Sequence, residues 1–228
     1  MNFFRFLLIS VCVSFVLLSG CTTLSRTHSR ISESFEGMSQ EHEQAVIVEP
    51  LDGSHARVTL WESREGWWHQ KFDAMPAAVG RKGIAPAGQK REGDGRTPSG
   101  VYGLGLAFGY SPSIDTKLKY RQSTADDHWV DDSTSSQYNQ WVKGAPQASS
   151  FEEMRREDDL YEYGAVIEYN TDPVVPGNGS AIFLHVWRGP DKPTSGCVAL
   201  SRENIKKILA WLDDERHPVV MILEPKEP

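Results

Sequence analysis

The chain predicts a mainly β domain, a β-rich α+β fold with one helix near its end. Three features of its 228 residues carry that reading. The apolar runs are short and bounded by turn-forming residues, the pattern of strands rather than of helices. The 19 glycines and 13 prolines gather largely between those runs, where they interrupt any longer period. One stretch, residues 201–212, carries apolar residues at helical spacing through successive turns.

The elements follow in order. "AVIVE" (45–49) and "RVTLWE" (57–62) flank an Asp52-Gly53 turn and predict a β-hairpin. "GWWHQKF" (66–72) predicts a third strand of a meander. A glycine-rich region spans 80–109; within it Gly93-Asp94-Gly95 supplies turn chemistry and a strand begins near Val101. Residues 111–160 read as a polar, irregular insertion packed by Tyr120, Trp129, Tyr138 and Trp141, with one short helix over 151–161. "GAVIEYN" (164–170) and "SAIFLHVW" (180–187) predict strands. In "SRENIKKILAWLDD", Ser201 is a natural N-cap, Glu203 suits the first turn, and Ile205, Ile208, Leu209 and Leu212 share one face. "PVVMILE" (218–224) closes the chain as a strand, and there is no internal repeat.

The N-terminus is a different kind of sequence. Residues 1–20 place one base, Arg5, ahead of a long apolar run without acids, as a secretory leader does. Phe6 to Leu18 is shorter than the roughly 20 residues a spanning helix needs. The run ends in "LLSGC", which resembles the lipobox of bacterial lipoproteins: cleavage ahead of Cys21, whose thiol would carry a lipid. Cys21 within a plain secretory leader is the competing reading. Thr22 follows, and by likeness to that class a residue other than Asp here implies export to the outer membrane of a Gram-negative bacterium. Residues 21–44 read as a lipidated tether, polar and without a sustained hydrophobic period. As a flexible coil it would span roughly 25 to 30 Å. A short amphipathic helix is the alternative. The domain proper is then 45–228, anchored to a membrane through Cys21 on the periplasmic side.

Charge and cysteine usage narrow the function. The formal charge is −7, from 24 basic and 31 acidic residues, with no basic run to suit a nucleic acid partner. Of three cysteines, Cys12 leaves with the leader and Cys21 is lipidated, so Cys197 remains as a lone thiol with no disulfide partner. Such a thiol outside the cytoplasm is either buried or used.

His185 supplies a reason for use. It sits on an apolar, central-looking strand, and the turned loop "RGPDKPTSG" leads from it to Cys197. If the loop folds back, an imidazole at the strand end can take the thiol proton and leave a thiolate nucleophile. Gly196 permits close backbone approach, and N–H groups near Cys197 are candidates for an oxyanion hole. A catalytic thiol of this kind is expected to alkylate quickly near neutral pH. Two other readings stay open on residues alone. Cys197 and His185 are residue types that also fill cores, and His185, Asp191 and Cys197 together form a conceivable metal site, though with no usual zinc spacing.

"FLHVWRGPDKPTSGCVALSRENI" is similar to the catalytic segment of the L,D-transpeptidase (YkuD-type) family: a strand His, a loop, Ser/Thr-His-Gly-Cys and a helix. "GDGRTPSGVY" resembles that family's Thr-Pro-x-Gly-x-Phe/Tyr strand, in the same order along the chain. The likeness spans roughly 45–224. It departs at two places: Ser195 stands where the family's His precedes Gly-Cys, and Ala199 where an Arg follows. A branch with Gly-Cys-Val-Ala and Trp-Arg-Gly-Pro is the better likeness.

The resemblance implies a β-rich catalytic domain with a helix after the catalytic Cys, and a peptidoglycan L,D-transpeptidase that works through a Cys197 thioester. The donor would be a stem peptide, cut between the L-centre of meso-diaminopimelic acid and D-Ala; a neighbouring amine would resolve the thioester as a cross-link. His185 is then the base, Gly196 and Ser195 supply oxyanion and orienting groups, and Arg188 and Thr194 contact substrate. Arg188 facing solvent is the alternative for that residue. No metal or organic cofactor is implied. Hydrolysis of the same thioester, as a carboxypeptidase or wall amidase, and an inactive wall-binding lipoprotein are the competing functions.

Overall fold

Gly53 takes the left-handed conformation, φ +54°, that lets the chain reverse between two apolar runs, and the His55 N–H closes the turn on the Asp52 carbonyl at 2.9 Å. The strands it joins are β1 (Gln44–Pro50) and β2 (His55–Arg64), paired antiparallel from Gln44↔Glu62 to Pro50↔Ala56. The structure, a computed structural model, describes Phe35, Met38 and residues 41–225. The leader, Cys21 and most of the expected tether lie outside the described residues. The chain divides into two units, and the second, Gln40–Pro228, holds every element described below. Gln44, placed by the sequence at the tether's end, is instead buried within β1; its side chain donates to the Trp211 carbonyl at 2.8 Å and accepts from the Asp213 N–H at 2.8 Å.

β3 (Trp67–Gln70) pairs antiparallel with β2, completing the expected meander. There follow β4 (Met75–Ala78), the short parallel pair β5 (Ile84–Ala85) and β6 (Thr97–Pro98), then β7 (Gly100–Gly103), β8 (Leu106–Gly109) and β9 (Lys119–Gln122). The insertion contributes β10 (Asp127–Val130), β11 (Trp141–Lys143) and β12 (Phe151–Glu153). β13 (Tyr163–Val166), β14 (Phe183–Val186), β15 (Val198–Leu200), α1 (Arg202–Trp211) and β16 (Val219–Ile222) end the domain. One large mixed sheet runs β7-β16-β1-β2-β4-β15-β14-β13-β8-β9, with β3 beside β2. β14 lies well inside it, between β15 and β13, so its run of four apolar and aromatic residues is buried along its whole length.

α1 forms where the periodicity places it. The Ser201 hydroxyl accepts the Asn204 N–H at 3.2 Å, and Ile205, Ile208 and Leu209 are buried where the helix packs across β13 and β14. They belong to the larger core, with Val46, Leu60 and Leu184. A second core lies under the insertion. It is aromatic and centres on Phe183, whose ring meets Trp129 at 5.0 Å, Phe108 at 5.4 Å and Tyr161 at 5.5 Å, all edge-to-face.

Three sequence expectations need correction here. The insertion is a three-stranded antiparallel sheet, β11-β10-β12, rather than irregular chain. The helix expected over 151–161 is absent from it: Phe151 to Glu153 form β12, and a 3-10 turn follows at Asp159–Tyr161, capped by the Asp158 side chain. Tertiary pairing overrides the helical propensity of Glu, Met and Arg. Phe151 meets the His128 ring across the pair at 4.7 Å, and Met154 is drawn into the aromatic core. The strand expected over 180–187 starts only at Phe183, because Ala181 has a left-handed backbone, φ +53°.

Asp127 ties the insertion together. Its carboxylate accepts from the Thr124 N–H and hydroxyl at 2.9 and 2.6 Å, from Trp141 Nε1 at 2.8 Å and from Arg121 at 2.7 Å. Burial alone would raise its pKa, but these donors outweigh burial and hold the carboxyl well below the usual range. A depressed folded pKa gives stability that is present above the unfolded value of roughly 3.9 and is lost as pH falls through the lower folded value. Asp127→Asn should therefore lower stability by about 2 kcal/mol at pH 7. Thermal unfolding of both proteins from pH 7 to pH 2 checks this: the gap in Tm closes as the pH drops below about 4.

Candidate active site

Side chains alternate along a strand, so parallel pairing fixes which residues share a face. β14 and β15 pair in parallel, with Leu184↔Val198, His185↔Ala199 and Val186↔Leu200. Leu184, Val186, Val198 and Leu200 turn into the larger core. Phe183 and His185 take the opposite face, and with them Ala199 and Cys197, which directly precedes β15. The loop between the strands does fold back, and it brings the nucleophile candidate and the base candidate to one floor.

That loop is held hard. The Thr194 N–H donates to the Val79 carbonyl at 2.9 Å, and the Thr194 carbonyl accepts from the Arg81 N–H at 2.9 Å. A Cβ on Gly196 would lie 3.1 Å from the Arg96 carbonyl oxygen and 3.2 Å from Ile182 Cδ1, so only glycine passes there without a shift. The Cys197 carbonyl accepts two hydroxyls, Thr194 at 2.7 Å and Thr97 at 3.2 Å, while Thr97 Oγ1 accepts the Gly80 N–H at 2.9 Å. The "GDGRTPSG" block therefore touches the backbone of the cysteine itself.

Cys197 is 7% exposed, in the aromatic core. Its thiol donates to the Ala181 carbonyl at 3.2 Å. Burial pushes the thiol up to about 12, and the Glu152 carboxylate adds to the rise. His185 is buried too. Burial pushes its imidazole down to about 4, against the carbonyls of Val186 and Leu160, which favour the cation. Its Nδ1 lies 2.7 Å from the Val186 carbonyl. A carbonyl only accepts, so Nδ1 carries the proton, and the Leu160 carbonyl also faces the ring. Both groups are thus neutral at pH 7. Among the described residues no hydrogen bond joins them, and the resting pair is thiol and imidazole rather than thiolate and imidazolium.

The floor opens into a cleft of about 810 Å³. The insertion builds one wall, with Glu152, Arg156, Asp158 and Tyr161; Trp187, Arg188 and Lys192 stand in the lining from the loop after β14. The Tyr161 hydroxyl donates to Glu152 and its ring meets His185 edge-on at 5.2 Å. Burial raises the Glu152 carboxyl's pKa, opposed by that hydroxyl and by Arg156. Arg156 pairs with Asp158 at 2.7 Å and lies over the Tyr161 ring.

The residues singled out by sequence fall in several places. Cys197 and His185 share the floor. Thr194 lines the cleft, but its hydroxyl is spent on the loop: it accepts the Gly196 N–H at 3.1 Å as well as donating to Cys197. The Gly196 N–H is therefore engaged and not open to an oxyanion. Ser195 does not orient His185; its hydroxyl accepts from Arg81 at 3.3 Å on the rim, while the Val186 carbonyl orients the imidazole. Arg188 lies at the cleft mouth, its side chain 62% exposed and 3.6 Å from Asp158, so it flanks the site and reaches solvent at once. Asp191 lies 3.4 Å from His55, and no group of three His, Cys, Asp or Glu side chains suited to a metal occurs among the described residues. Cys21 lies outside them. Sequence reading missed Glu152, Tyr161 and Thr97. The first two sat in a segment read as helix, and only the Thr-Pro block hinted at the third.

Residues 53–221 match the family model of the L,D-transpeptidase catalytic domain, YkuD. Among solved structures, the helical cell shape determining protein Pgp2 from Campylobacter jejuni is similar, at 17% identity and a TM-score of 0.47, over 81% of this chain and 49% of that one. A lysine-to-alanine mutant of Pgp2 gives 17% identity and a TM-score of 0.48, over 83% and 50%. The chain thus spans about half the length of those solved chains. No curated protein matches.

The site generates two expectations. A neutral thiol near 12 alkylates slowly, so the quick labelling expected from sequence gives way: iodoacetamide should react with Cys197 slowly at pH 7, and the rate should climb with pH without a plateau by pH 10. Thr97→Val should cost about 1–3 kcal/mol, because it leaves the buried Gly80 N–H without its acceptor. Urea unfolding measures this, with Thr97→Ser as the control that keeps the hydroxyl and most of the stability.

Proposed function

The chain belongs to the L,D-transpeptidase catalytic domain family, YkuD, and on that premise we propose that it is a peptidoglycan L,D-transpeptidase with Cys197 as nucleophile and His185 as base. The observation that carries the proposal is the shared face of β14 and β15. It brings an imidazole and a thiol, both neutral, to the lining of one cleft.

The chemistry follows from the two neutral groups. A donor stem peptide enters with the carbonyl of its meso-diaminopimelic L-centre over Cys197. The S–H proton passes to His185 Nε2, and sulfur bonds to the carbonyl carbon. The tetrahedral adduct collapses as the C–N bond to D-Ala breaks; the imidazolium returns the proton to the leaving nitrogen, and a thioester remains. The amine of a neighbouring stem then loses a proton to His185 and attacks the thioester. The C–S bond breaks, the cross-link forms, and the thiolate is reprotonated. Because the imidazole's pKa is lowered to about 4, it is unprotonated and ready at neutral pH. At the mouth, Arg188 and Lys192 offer charge to a substrate carboxylate, and the acidic wall from the insertion faces an incoming amine.

The chain is further proposed to work at the wall from a lipid on Cys21, because its N-terminal residues read as a lipoprotein leader and polar tether. Water in place of the acceptor amine would make the same site a carboxypeptidase or wall amidase.

The test uses residues 22–228 and the Cys197→Ala and His185→Ala variants, incubated with purified tetrapeptide muropeptides and read by mass spectrometry. A cross-linked dimer from the unaltered protein is expected. Cys197→Ala should form none, and His185→Ala should fall by about two orders of magnitude or more. Shortened monomer without dimer would make the protein a hydrolase, and full turnover by Cys197→Ala would end this mechanism.

A further inference from the structure

Ala181 is the strained point beside the nucleophile. Its φ of +53° is a conformation that glycine adopts freely and alanine resists. Its two backbone hydrogen-bonding groups join different parts of the protein. The carbonyl accepts the Cys197 thiol at 3.2 Å, and the N–H donates to Asn139 Oδ1 at 3.1 Å. Asn139 belongs to the insertion, just ahead of β11, and is 4% exposed.

Asn139 is built as a peg. Its Oδ1 also accepts Trp129 Nε1 at 2.9 Å, and its Nδ2 donates to the carbonyls of Tyr169 at 3.1 Å and Asn170 at 2.7 Å. Both lone pairs and both amide hydrogens are used, so the side chain has no other orientation that satisfies them. Its own backbone is left-handed, φ +57°, and its N–H donates to the Val130 carbonyl at 2.8 Å. Neither Asn139 nor Ala181 lines the cleft. The peg therefore reaches the sulfur only through the Ala181 backbone.

We propose that Asn139 is a positioning residue: it locks Ala181 in its left-handed conformation, and the Ala181 carbonyl then fixes where the Cys197 sulfur waits before attack. The proposal rests on Cys197 being the nucleophile. It gives the insertion a task beyond forming a wall. Without the peg, Ala181 relaxes toward an ordinary backbone, its carbonyl leaves the sulfur, and the Cys197 thiol loses the acceptor that fixes its proton, keeping the Phe183 N–H. Two effects of opposite sign follow. The thiol loses an acceptor that stabilises its protonated form, so it ionises more readily. Turnover falls all the same, because the sulfur is no longer held for attack.

Asn139→Gly isolates the side chain, since glycine keeps φ +57° without strain. Ala181→Gly removes the strain that the peg holds. The two single variants and their double are compared with the parent for kcat and KM on tetrapeptide muropeptide, iodoacetamide labelling at pH 8, and Tm. Asn139→Gly is expected to lose tenfold or more in kcat with KM within twofold, and to label several times faster. The double variant is expected to recover kcat and labelling to within threefold of the parent while its Tm stays lowered, because the bonds to Trp129, Tyr169 and Asn170 remain broken. Unchanged kcat and labelling in Asn139→Gly overturn the proposal. So does a loss that Ala181→Gly does not recover, which would make Asn139 a structural prop only. If Asn139→Gly does not fold, Asn139→Asp keeps the Oδ1 acceptor; kcat within threefold of the parent supports the proposal and a tenfold loss overturns it. A parent that labels but turns over no muropeptide defeats the functional reading alone, and the labelling rates with their recovery in the double variant still decide the role of Asn139.

Discussion

The site depends on one register. β14 and β15 run in parallel with His185 opposite Ala199, and that pairing decides which side chains meet. A slip of one residue would send Cys197 into the aliphatic core and bring Val198 to the floor of the cleft. The register is held from both faces. Leu184, Val186, Val198 and Leu200 are locked in the core beneath α1, and Phe183 is locked among the rings of Trp129, Phe108 and Tyr161. At the end of the loop, the hydroxyls of Thr97 and Thr194 clamp the Cys197 carbonyl. Fold stability and site geometry are thus one quantity here.

The parts of this molecule that were legible in the sequence are those governed by local rules. The Asp52-Gly53 hairpin, the capped helix after Cys197 and the strand bearing His185 all follow from turn chemistry and periodicity. The return of the chain that places His185 and Cys197 in one cleft was legible because the intervening loop is rich in Pro and Gly. What escaped was set by tertiary contact. Residues 151–161 carry good helix formers, yet Phe151 and Met154 find better partners across β10 and in the aromatic core, so the chain extends. That extension brings Glu152 and Tyr161 to the cleft from a segment with no motif. The strain at Ala181 has no sequence signal at all, since an alanine announces nothing about its φ.

The departures from the family's usual motif also find a physical setting. Ser195, where the family's His precedes Gly-Cys, sits on the rim with Arg81. Ala199 keeps the floor beside His185 flat and small, because no long cation projects there. Charge in the cleft lies elsewhere, with Arg188 and Lys192 at the mouth and a carboxylate-rich wall from the insertion. The same insertion closes over the second core, so the aromatic packing that stabilises it also buries most of the Cys197 side chain.

The Ala181 carbonyl has a further consequence for the thiol that donates to it. Oxidation by peroxide and disulfide exchange both proceed through the thiolate. A sulfur that is protonated, packed among aromatic rings and hydrogen-bonded to a carbonyl offers almost none of it. The first rung of the oxidation ladder, sulfenic acid, is therefore slow to form in the resting protein. Cys197, the free cysteine among the described residues, gains durability from this arrangement: it stays reduced without a reductant for as long as its proton stays in place.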